Sequence, residues 1–425
     1  MAGVACSGGG LQAVGRARRA RRPSVRCVAS SSSSSSSRGG GHPLLDEGRF
    51  AAEGEAEADV RCVVQVPAPT VRGRLLLASG VRAVRVACEV TRRVQGRLAS
   101  GEVSRKADES PVTVADFAAQ AVVHRMLATS GAFHSLGHGF VAEEDAAELR
   151  AEVGASTAAA VAAEVNAALA SAALPPMGVA ELLHVLDQGG HPGGPEGTHW
   201  VLDPIDGTKG FVRGDQYAVC LGVVQEGALT VGILGCPNLE RRYAFPGDDG
   251  VGLLLTAVAG RGAWAQRLGP GGDGDSDSAA AVRLDLGARP RGGRSGPLRF
   301  MESVESAHSN HGVSRAVADA LAMDGDPLRI DSQCKYGVLA MGGGDVFMRF
   351  PPASYREKIW DHAAGVLIVH EAGGVVTNAR GEPLDFSQSR WLDGLKGGIV
   401  AAGDPETHAR VVAAASRALD AEARG

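Results

Sequence analysis

The sequence predicts a layered protein with an α+β half followed by an α/β half. Strand-like and helix-like segments are mixed along the chain, which favours helices layered on sheets. With 425 residues and 44% apolar content, the chain can bury one or two sizeable cores. No run of about 18 apolar residues is present, so we expect no membrane partner.

Charge and cysteine content limit the partners and the compartment. The net charge is −5, from 48 acidic and 43 basic residues, so a nucleic-acid polymer is not an expected partner and an anionic ligand needs a local site. The seven cysteines show no metal-binding spacing. We expect a reducing compartment, with mostly buried thiols and a redox-active pair as the alternative.

Residues 1–45 have the composition of an organelle transit peptide. They contain seven arginines, no acidic residue and an unbroken serine run, Ser30–Ser37. Val25–Ala29 resembles a plastid processing region, so we expect a chloroplast location, with a mitochondrial one as the alternative. A plain disordered tail also fits this composition. Residues 46–75 are predicted to be a linker of unassigned structure.

Helices are predicted from apolar spacing in the first half of the chain. Apolar residues recur at helical spacing from Leu76 to Leu98, and a second helix begins after Pro111, with Asp116 near its first turn. Alanine-rich or apolar stretches predict helices at Ala146–Leu174 and Val179–Leu186.

Strands are predicted after a glycine-dense loop at 189–197. The glycine-rich segments at 269–278 and 289–296 are predicted to be surface loops between strands. The predicted strands are Trp200–Leu202, Val219–Val224, Leu229–Leu234, Arg329–Asp331, Val346–Phe350, Val375–Thr377 and Gly397–Ala401, and further helices are Tyr336–Met341 and Ala363–Ala372.

The segment Trp200–Thr208 carries the most chemical information. A buried strand ends in Asp203 and Asp206, and Gly207 permits a tight turn, so that both carboxylates can face one point. The Ile205 carbonyl could supply a further oxygen ligand, and a helix opening at Thr208 would direct N–H groups at a phosphate. The alternative is an Asp-Pro turn followed by a capping aspartate.

Five carboxylates at element boundaries predict a metal site. Taken singly, each is an ordinary helix cap or a solvated helix start. If they share a pocket, they need divalent cations to neutralise them, and an oxygen-only ligand set favours Mg²⁺ or Mn²⁺ over Zn²⁺. The five are Asp116, Glu143, Asp203, Asp206 and Asp361.

Together these motifs resemble the inositol monophosphatase superfamily. The motifs that show this resemblance are Asp203–Thr208, Glu143-Glu144 upstream of it and Trp360–Gly365 downstream of it. The continuation Lys209–Tyr217 and the string Asp331–Tyr336 look like the bisphosphate nucleotidases within it. The resemblance runs from about Leu76 to the C-terminus. It implies an αβαβα sandwich of the inositol monophosphatase / fructose-1,6-bisphosphatase type, divided into halves at 76–245 and 246–420.

The resemblance also implies roles for individual residues. Two or three Mg²⁺ ions would be held by Glu143, Asp203, the Ile205 carbonyl, Asp206 and Asp361. Asp116 and Thr208 would orient and deprotonate the attacking water. The residues implied in substrate binding are Thr208, His308, Ser332, Lys335, Arg349 and Asp361.

The implied reaction is lithium-sensitive hydrolysis of 3'-phosphoadenosine 5'-phosphate. We expect the protein to act as a monomer. Further implied substrates are 3'-phosphoadenosine 5'-phosphosulfate and inositol 1,4-bisphosphate. One departure is Thr198, where the family usually has arginine. Two alternatives stay open: a phosphatase preferring inositol phosphates, and a non-enzymatic phosphonucleotide sensor.

Overall fold

The structure is a computed structural model that describes nine segments of the chain. They are residues 71–100, 111–130, 138–151, 154–269, 281–288, 296–305, 309–323, 325–352 and 354–424. The described residues all belong to one compact unit. The predicted transit peptide, most of the predicted linker, most of the two glycine-rich segments and His308 lie outside them.

Helices and sheets alternate in five layers, in the order αβαβα. Two long helices cover a seven-stranded sheet, two shorter helices separate it from a five-stranded sheet, and two more helices close the other side. The fold class predicted from the sequence is therefore confirmed. The layer-forming helices are α1 (Val71–Ser100) and α2 (Pro111–Thr129), then α8 (Cys334–Ala340) and α9 (Ala363–Glu371), then α7 (His311–Ala320) and α10 (Pro405–Glu422).

The first sheet has its seven strands in sequence order. Its first two strands are parallel and the others are antiparallel, with β-bulges or register shifts in several pairs. Its strands are β1 (Gly139–Ala142), β2 (Thr198–Asp206), β3 (Ala218–Gln225), β4 (Ala228–Glu240), β5 (Val251–Val258), β6 (Gly262–Arg267) and β7 (Val282–Leu284). The expected boundary between the halves, at 245/246, stays a prediction, and this sheet continues past it to Leu284.

The second sheet has the strand order β12-β14-β10-β8-β9, which requires crossovers between sequence neighbours. A separate two-stranded ribbon, β11 with β13, lies in the same part of the sequence. The strands are β8 (Phe300–Glu302), β9 (Leu328–Arg329), β10 (Val346–Arg349), β11 (Glu357–Lys358), β12 (Val375–Asn378), β13 (Trp391–Leu392) and β14 (Ile399–Ala402).

Several predicted bounds are corrected. The stretch predicted as one helix at Ala146–Leu174 contains two, because the backbone leaves the helical conformation at Ala151, where ψ is 153°. The second helix begins after Gly154, where a Cβ would lie 2.4 Å from the Glu148 carbonyl oxygen. The predicted strand Trp200–Leu202 continues through the aspartate motif to Asp206. Strands β5, β6, β7, β8, β11 and β13 and helices α7 and α10 were not predicted. The remaining helices are α3 (Ala147–Arg150), α4 (Ala155–Ser171), α5 (Val179–Asp187) and α6 (Thr208–Arg213).

Alternation along the central strands supplies the cores on both sides of the first sheet. On β3, Val219 and Leu221 belong to the apolar cluster formed with α1 and α2. Ala218 and Cys220, which point the other way, belong to the cluster that includes α9. Burial on both faces therefore fixes the strand register. None of the helices within the described segments has the length and apolar content to cross a membrane.

Four cysteines are described, and all are free and buried. They are Cys88, Cys220, Cys236 and Cys334. Burial raises the pKa of Cys88 to about 12, so this thiol stays protonated near neutral pH. This agrees with the expected role of these residues as small apolar side chains.

Helix α9 approaches the first sheet closely because glycines face it. A Cβ on Gly232 of β4 would lie 2.7 Å from the Ala364 carbonyl oxygen, and one on Gly222 of β3 would lie 3.1 Å from the Ala363 Cβ. The helix that begins two residues after Asp361 is thus held against β3 and β4.

Replacing Gly232 with alanine is expected to destabilise the fold by about 1–3 kcal/mol, because the added methyl group meets backbone that cannot rotate away. The matched control is Gly96→Ala in α1, where nothing lies within 4 Å of the new Cβ. The control should stabilise the protein by about 0.5–1 kcal/mol, since alanine is the better helix former. Urea unfolding measures both changes. Equal midpoints for Gly232→Ala and the wild type would contradict this packing.

Candidate active site

An open cavity of about 370 Å³ collects most of the residues expected at the site. It lies where the end of β2 meets the start of α8, the end of β10 and the turn before α9. Asp116 is not part of its lining, and His308 lies outside the described residues. The expected residues that line it are Glu143, Asp203, Ile205, Asp206, Thr208, Ser332, Lys335, Arg349 and Asp361.

The end of β2 is shaped to present its oxygen atoms to this cavity. The pairing of β2 with β3 shifts register between Asp203 and Asp206, which interrupts the regular alternation of side chains. Gly207 then has φ 90°, and a Cβ there would lie 2.9 Å from the Ser332 Cβ. Only glycine fits this turn without strain. Helix α6 begins at the next residue, and the Thr208 hydroxyl donates to the Ile205 carbonyl at 3.4 Å.

Asp116 and Asp203 are buried carboxylates with incomplete hydrogen bonding. They are 7% and 2% exposed, and one oxygen of each, Oδ1, has no partner among the described residues. Burial raises the pKa of both well above the usual range. Repulsion adds to this effect, from Glu144 and Glu143 for Asp116, and from Glu143 and Asp206 for Asp203. These two buried acids thus lie close to other acids and lack enough hydrogen-bond donors to stabilise their charged forms.

The other acids of the cluster share this environment. Burial raises the pKa of Glu143, although Lys358, 3.7 Å from it, opposes the effect. Burial also raises the pKa of Asp206, against the attraction of Lys335. The pKa of Asp361 is raised well above its usual range by burial and then by repulsion from Glu357 and Asp206.

This donor set fits divalent cations. Charged carboxylates are unfavourable when buried together, and a bound cation removes both the burial penalty and the repulsion. The unpartnered Oδ1 atoms of Asp116 and Asp203 are oxygens that a cation or a bound water would satisfy. The five carboxylates are hard oxygen ligands, so the chemistry suits Mg²⁺ better than a softer metal.

Another group with metal-type side chains is Glu357, Asp361 and His362, whose potential ligand atoms lie within 4.8 Å of one another. Glu357 is already bonded to Arg349 Nε at 2.6 Å and to His362 Nε2 at 3.0 Å. A cation placed on this carboxylate would be repelled by the guanidinium. Of this group, only Asp361 therefore remains a candidate metal ligand.

Two cations face the carboxylates across the cavity. Lys335 is 4% exposed, and its Nζ donates to the carbonyls of Ile330 at 2.9 Å and Ser332 at 2.8 Å. Burial lowers the pKa of Lys335 to about 8, against the attraction of Asp206. Arg349 lines the same cavity with its side chain 14% exposed. The cavity therefore has an anionic side, formed by the carboxylates, and a cationic side, formed by Lys335 and Arg349.

Ser332 holds the loop between these sides. It has φ 65°, an unfavourable conformation for a residue with a side chain. Its hydroxyl accepts from the Cys334 N–H at 3.1 Å, and its carbonyl accepts from Lys335. Strain of this kind, kept in place by surrounding bonds, is common at ligand sites.

Gln333 is a site residue that the sequence reading did not single out. Its backbone N–H donates to Asp206 Oδ2 at 2.5 Å, and its side chain bonds the Trp360 carbonyl at 2.7 Å and the Gly365 N–H at 2.9 Å. It ties the acid at the end of β2 to the turn that carries Asp361. A single glutamine has no spacing signal, so only its place beside Ser332 and Lys335 could have marked it.

The layered fold and the acid-lined cavity fit a phosphatase, and comparison with known proteins gives the family. The profile of the inositol monophosphatase family matches residues 75–420, and the chain belongs to this family, whose enzymes are metal-dependent. The resemblance predicted from the motifs is confirmed.

The chain is also similar to individual proteins of known function or structure. A 3'(2'),5'-bisphosphate nucleotidase of Oryza sativa is 41% identical over 332 residues, covering 76% of this chain and 89% of that protein. The 3',5'-bisphosphate nucleotidase AHL of Arabidopsis thaliana is 40% identical over 361 residues, covering 79% and 94%. The crystal structure of CysQ from Bacteroides thetaiotaomicron matches with 21% identity and TM-score 0.47, covering 77% of this chain and 97% of that chain.

Proposed function

We propose that this protein is a bisphosphate nucleotidase that hydrolyses 3'-phosphoadenosine 5'-phosphate to AMP and phosphate. The observation that carries the proposal is the cavity in which a carboxylate cluster faces the buried Lys335 and the partly exposed Arg349. A bisphosphate needs both sides, since one phosphate reacts and the other has to be held. The names of the relatives from Oryza sativa and Arabidopsis thaliana support the same substrate class.

The reacting phosphate belongs at the carboxylate side. Glu143, Asp203, the Ile205 carbonyl, Asp206 and Asp361 would hold two or three Mg²⁺ ions there. When bound, such ions lower the pKa of water and stabilise the charge that develops on the phosphoryl oxygens. The protein contributes by fixing these oxygens on β2 and on the turn before α9, so little reorganisation is needed during the reaction.

Asp116 and Thr208 are proposed to activate the water. Asp116 Oδ1 has no hydrogen-bond partner among the described residues, so it can accept a proton from a water in the cluster. The Thr208 hydroxyl bonds the Ile205 carbonyl and can accept from the same water. The water oxygen attacks phosphorus, the bond to the ribose 3'-oxygen breaks, and that oxygen takes up a proton from solvent.

The retained 5'-phosphate belongs at the cationic side. Arg349 presents a planar fork of N–H donors, and Lys335 adds a compact positive charge that its two carbonyl partners hold in place. Ser332 contributes a hydroxyl at the same edge of the cavity. We further propose import into the chloroplast through residues 1–45 and activity as a monomer.

The first test compares phosphate release by the full chain from 3'-phosphoadenosine 5'-phosphate, inositol 1,4-bisphosphate and inositol 1-phosphate with magnesium present. We expect the nucleotide to have the largest kcat/KM, because it alone offers a nucleoside and a second phosphate to the cationic side. Lithium is expected to inhibit by competing for the site of one magnesium ion. A preference for an inositol phosphate would overturn the substrate, and no turnover would favour a phosphonucleotide sensor.

A further inference from the structure

A buried chain of polar groups runs behind the cationic side of the cavity. The Tyr336 hydroxyl lies 2.9 Å from His362 Nδ1, and His362 Nε2 lies 3.0 Å from Glu357 Oε2. Glu357 in turn accepts from Arg349 Nε at 2.6 Å and from Nη2 at 3.1 Å. The Glu357 and His362 side chains are 0% and 2% exposed, so these bonds are not in competition with water.

Glu357 lies behind the surface that a substrate would touch. Tyr336, Arg349 and His362 line the cavity, whereas Glu357 is not among the described residues that do so. Its carboxylate meets a guanidinium on one side and an imidazole on the other. Because a carboxylate only accepts, His362 donates from Nε2, and in the neutral ring Nδ1 accepts from the Tyr336 hydroxyl.

The bonds from Glu357 use one edge of the Arg349 guanidinium. Nε and Nη2 donate to the two carboxylate oxygens, a paired arrangement that fixes the plane of the group. In the described part of the chain, no acceptor is bonded to the remaining nitrogen, Nη1. A planar guanidinium held by one edge keeps its other donors at a fixed angle, which suits the oxygens of a phosphate.

We propose that Glu357 is a positioning residue that holds Arg349 for the phosphate that is not cleaved, and that His362 and Tyr336 hold Glu357 in turn. This inference rests on the proposed function, in which Arg349 binds the retained phosphate. It assigns a role to three side chains that the sequence reading left without one. The role is recognition of the second phosphate, so its loss changes substrate preference more than the chemical step.

The test compares a substrate that carries the second phosphate with one that lacks it. In Glu357→Gln, we expect the preference for 3'-phosphoadenosine 5'-phosphate over adenosine 3'-phosphate to fall on the order of tenfold or more, since misplacement of a binding group by about 1 Å can cost as much as 10²-fold. The loss should be in KM, with kcat for the monophosphate little changed. Equal losses for both substrates would overturn the proposal and leave a structural role.

A matched control is Glu302→Gln. Glu302 is also a buried glutamate that accepts from an arginine, Arg329, at 3.0 Å, but it is not part of the cavity lining. The same chemical change there should leave the preference at the wild-type value. If Glu302→Gln lowers it as much as Glu357→Gln does, the effect is not specific to Arg349.

A double variant tests whether Glu357 acts through Arg349. When Arg349 is already replaced by methionine, adding Glu357→Gln should not change the preference further, because the group that it positions is gone. A further fall in the double variant would overturn the assignment. Should Glu357→Gln fail to fold, Tyr336→Phe keeps the ring and its edge-to-face contact with Phe347. That variant should lower the preference in the same direction, and an unchanged preference would then refute the proposal.

Equilibrium binding separates this inference from the proposed function. AMP keeps the 5'-phosphate and adenosine lacks it, so calorimetry with a chelator present measures that contact without turnover or metal. Glu357→Gln should weaken the binding of AMP and leave the binding of adenosine unchanged. If the wild type does not hydrolyse the bisphosphate but this binding difference is present, the proposed function fails and the positioning role stands. If AMP binding is equal in both proteins, the positioning role fails.

Discussion

Replacing Asp206 with asparagine will abolish phosphate release while the fold is kept. The change removes a charged oxygen from the centre of the carboxylate cluster but keeps an acceptor for the Gln333 N–H. The loss of activity should exceed the ~10–100-fold that changes to outer-shell partners of metal sites cost. Activity at saturating magnesium and far-ultraviolet circular dichroism check the two parts of this result.

Thermal unfolding gives a second readout for Asp206→Asn that does not need turnover. Burial acts against the charged form of Asp206, so without metal the variant should melt at or above the wild-type temperature. Added magnesium should raise its Tm less than that of the wild type, because a weaker ligand set gains less from binding. The control is Asp319→Asn, an exposed carboxylate on α7 whose ion pair with Arg315 is worth little. A normally active Asp206→Asn would refute the metal assignment.

Replacing Lys335 with methionine will lower kcat/KM for 3'-phosphoadenosine 5'-phosphate about 30-fold or more. Methionine keeps the length of the side chain and removes the charge, and loss of one partner of a buried charge pair costs about 2 kcal/mol or more. Steady-state kinetics with this nucleotide and with inositol 1-phosphate measure the effect. The loss should be much smaller for inositol 1-phosphate, which has no second phosphate to hold.

Lys396→Met is the matched control for this prediction. Lys396 is exposed and paired with Glu382 at 2.5 Å, so its loss should change neither activity nor the fold measurably. If Lys335→Met hydrolyses the bisphosphate at the wild-type rate, the buried ammonium does not recognise the second phosphate. The phosphatase preferring inositol phosphates would then be the better description.

The sequence was most informative where a local pattern is enough. The spacing from Leu76 to Leu98 predicted α1, and the string Asp203–Thr208 marked the end of β2 together with the start of α6. Strand β5 was missed because its short leucine run, Leu253–Leu255, has a spacing that fits a buried helix as well as a strand. The break in the predicted helix 146–174 depends on the extended backbone at Ala151, and an alanine within an alanine-rich segment gives no sign of it.

For the candidate site, the sequence indicated the residue types but not their hydrogen-bond partners. The sequence indicated that acids such as Glu143 and Asp361, far apart along the chain, belong to one centre. It carried no sign that Gln333 joins Asp206 to the turn at Trp360, or that Glu357 bonds Arg349 and His362. These contacts form between segments that only meet once the layers have packed.

By itself the sequence determined the layered fold class, the family and the oxygen-rich chemistry of the centre, because short strings encode turns, caps and ligand types. Tertiary structure alone decided which groups share the cavity and which support them from behind. Burial and distance raise the pKa of Asp203 and leave Asp116 Oδ1 without a partner among the described residues. They also decide which nitrogens of Arg349 are bonded to Glu357. Both quantities depend on packing between distant segments, and no local pattern in the chain specifies them.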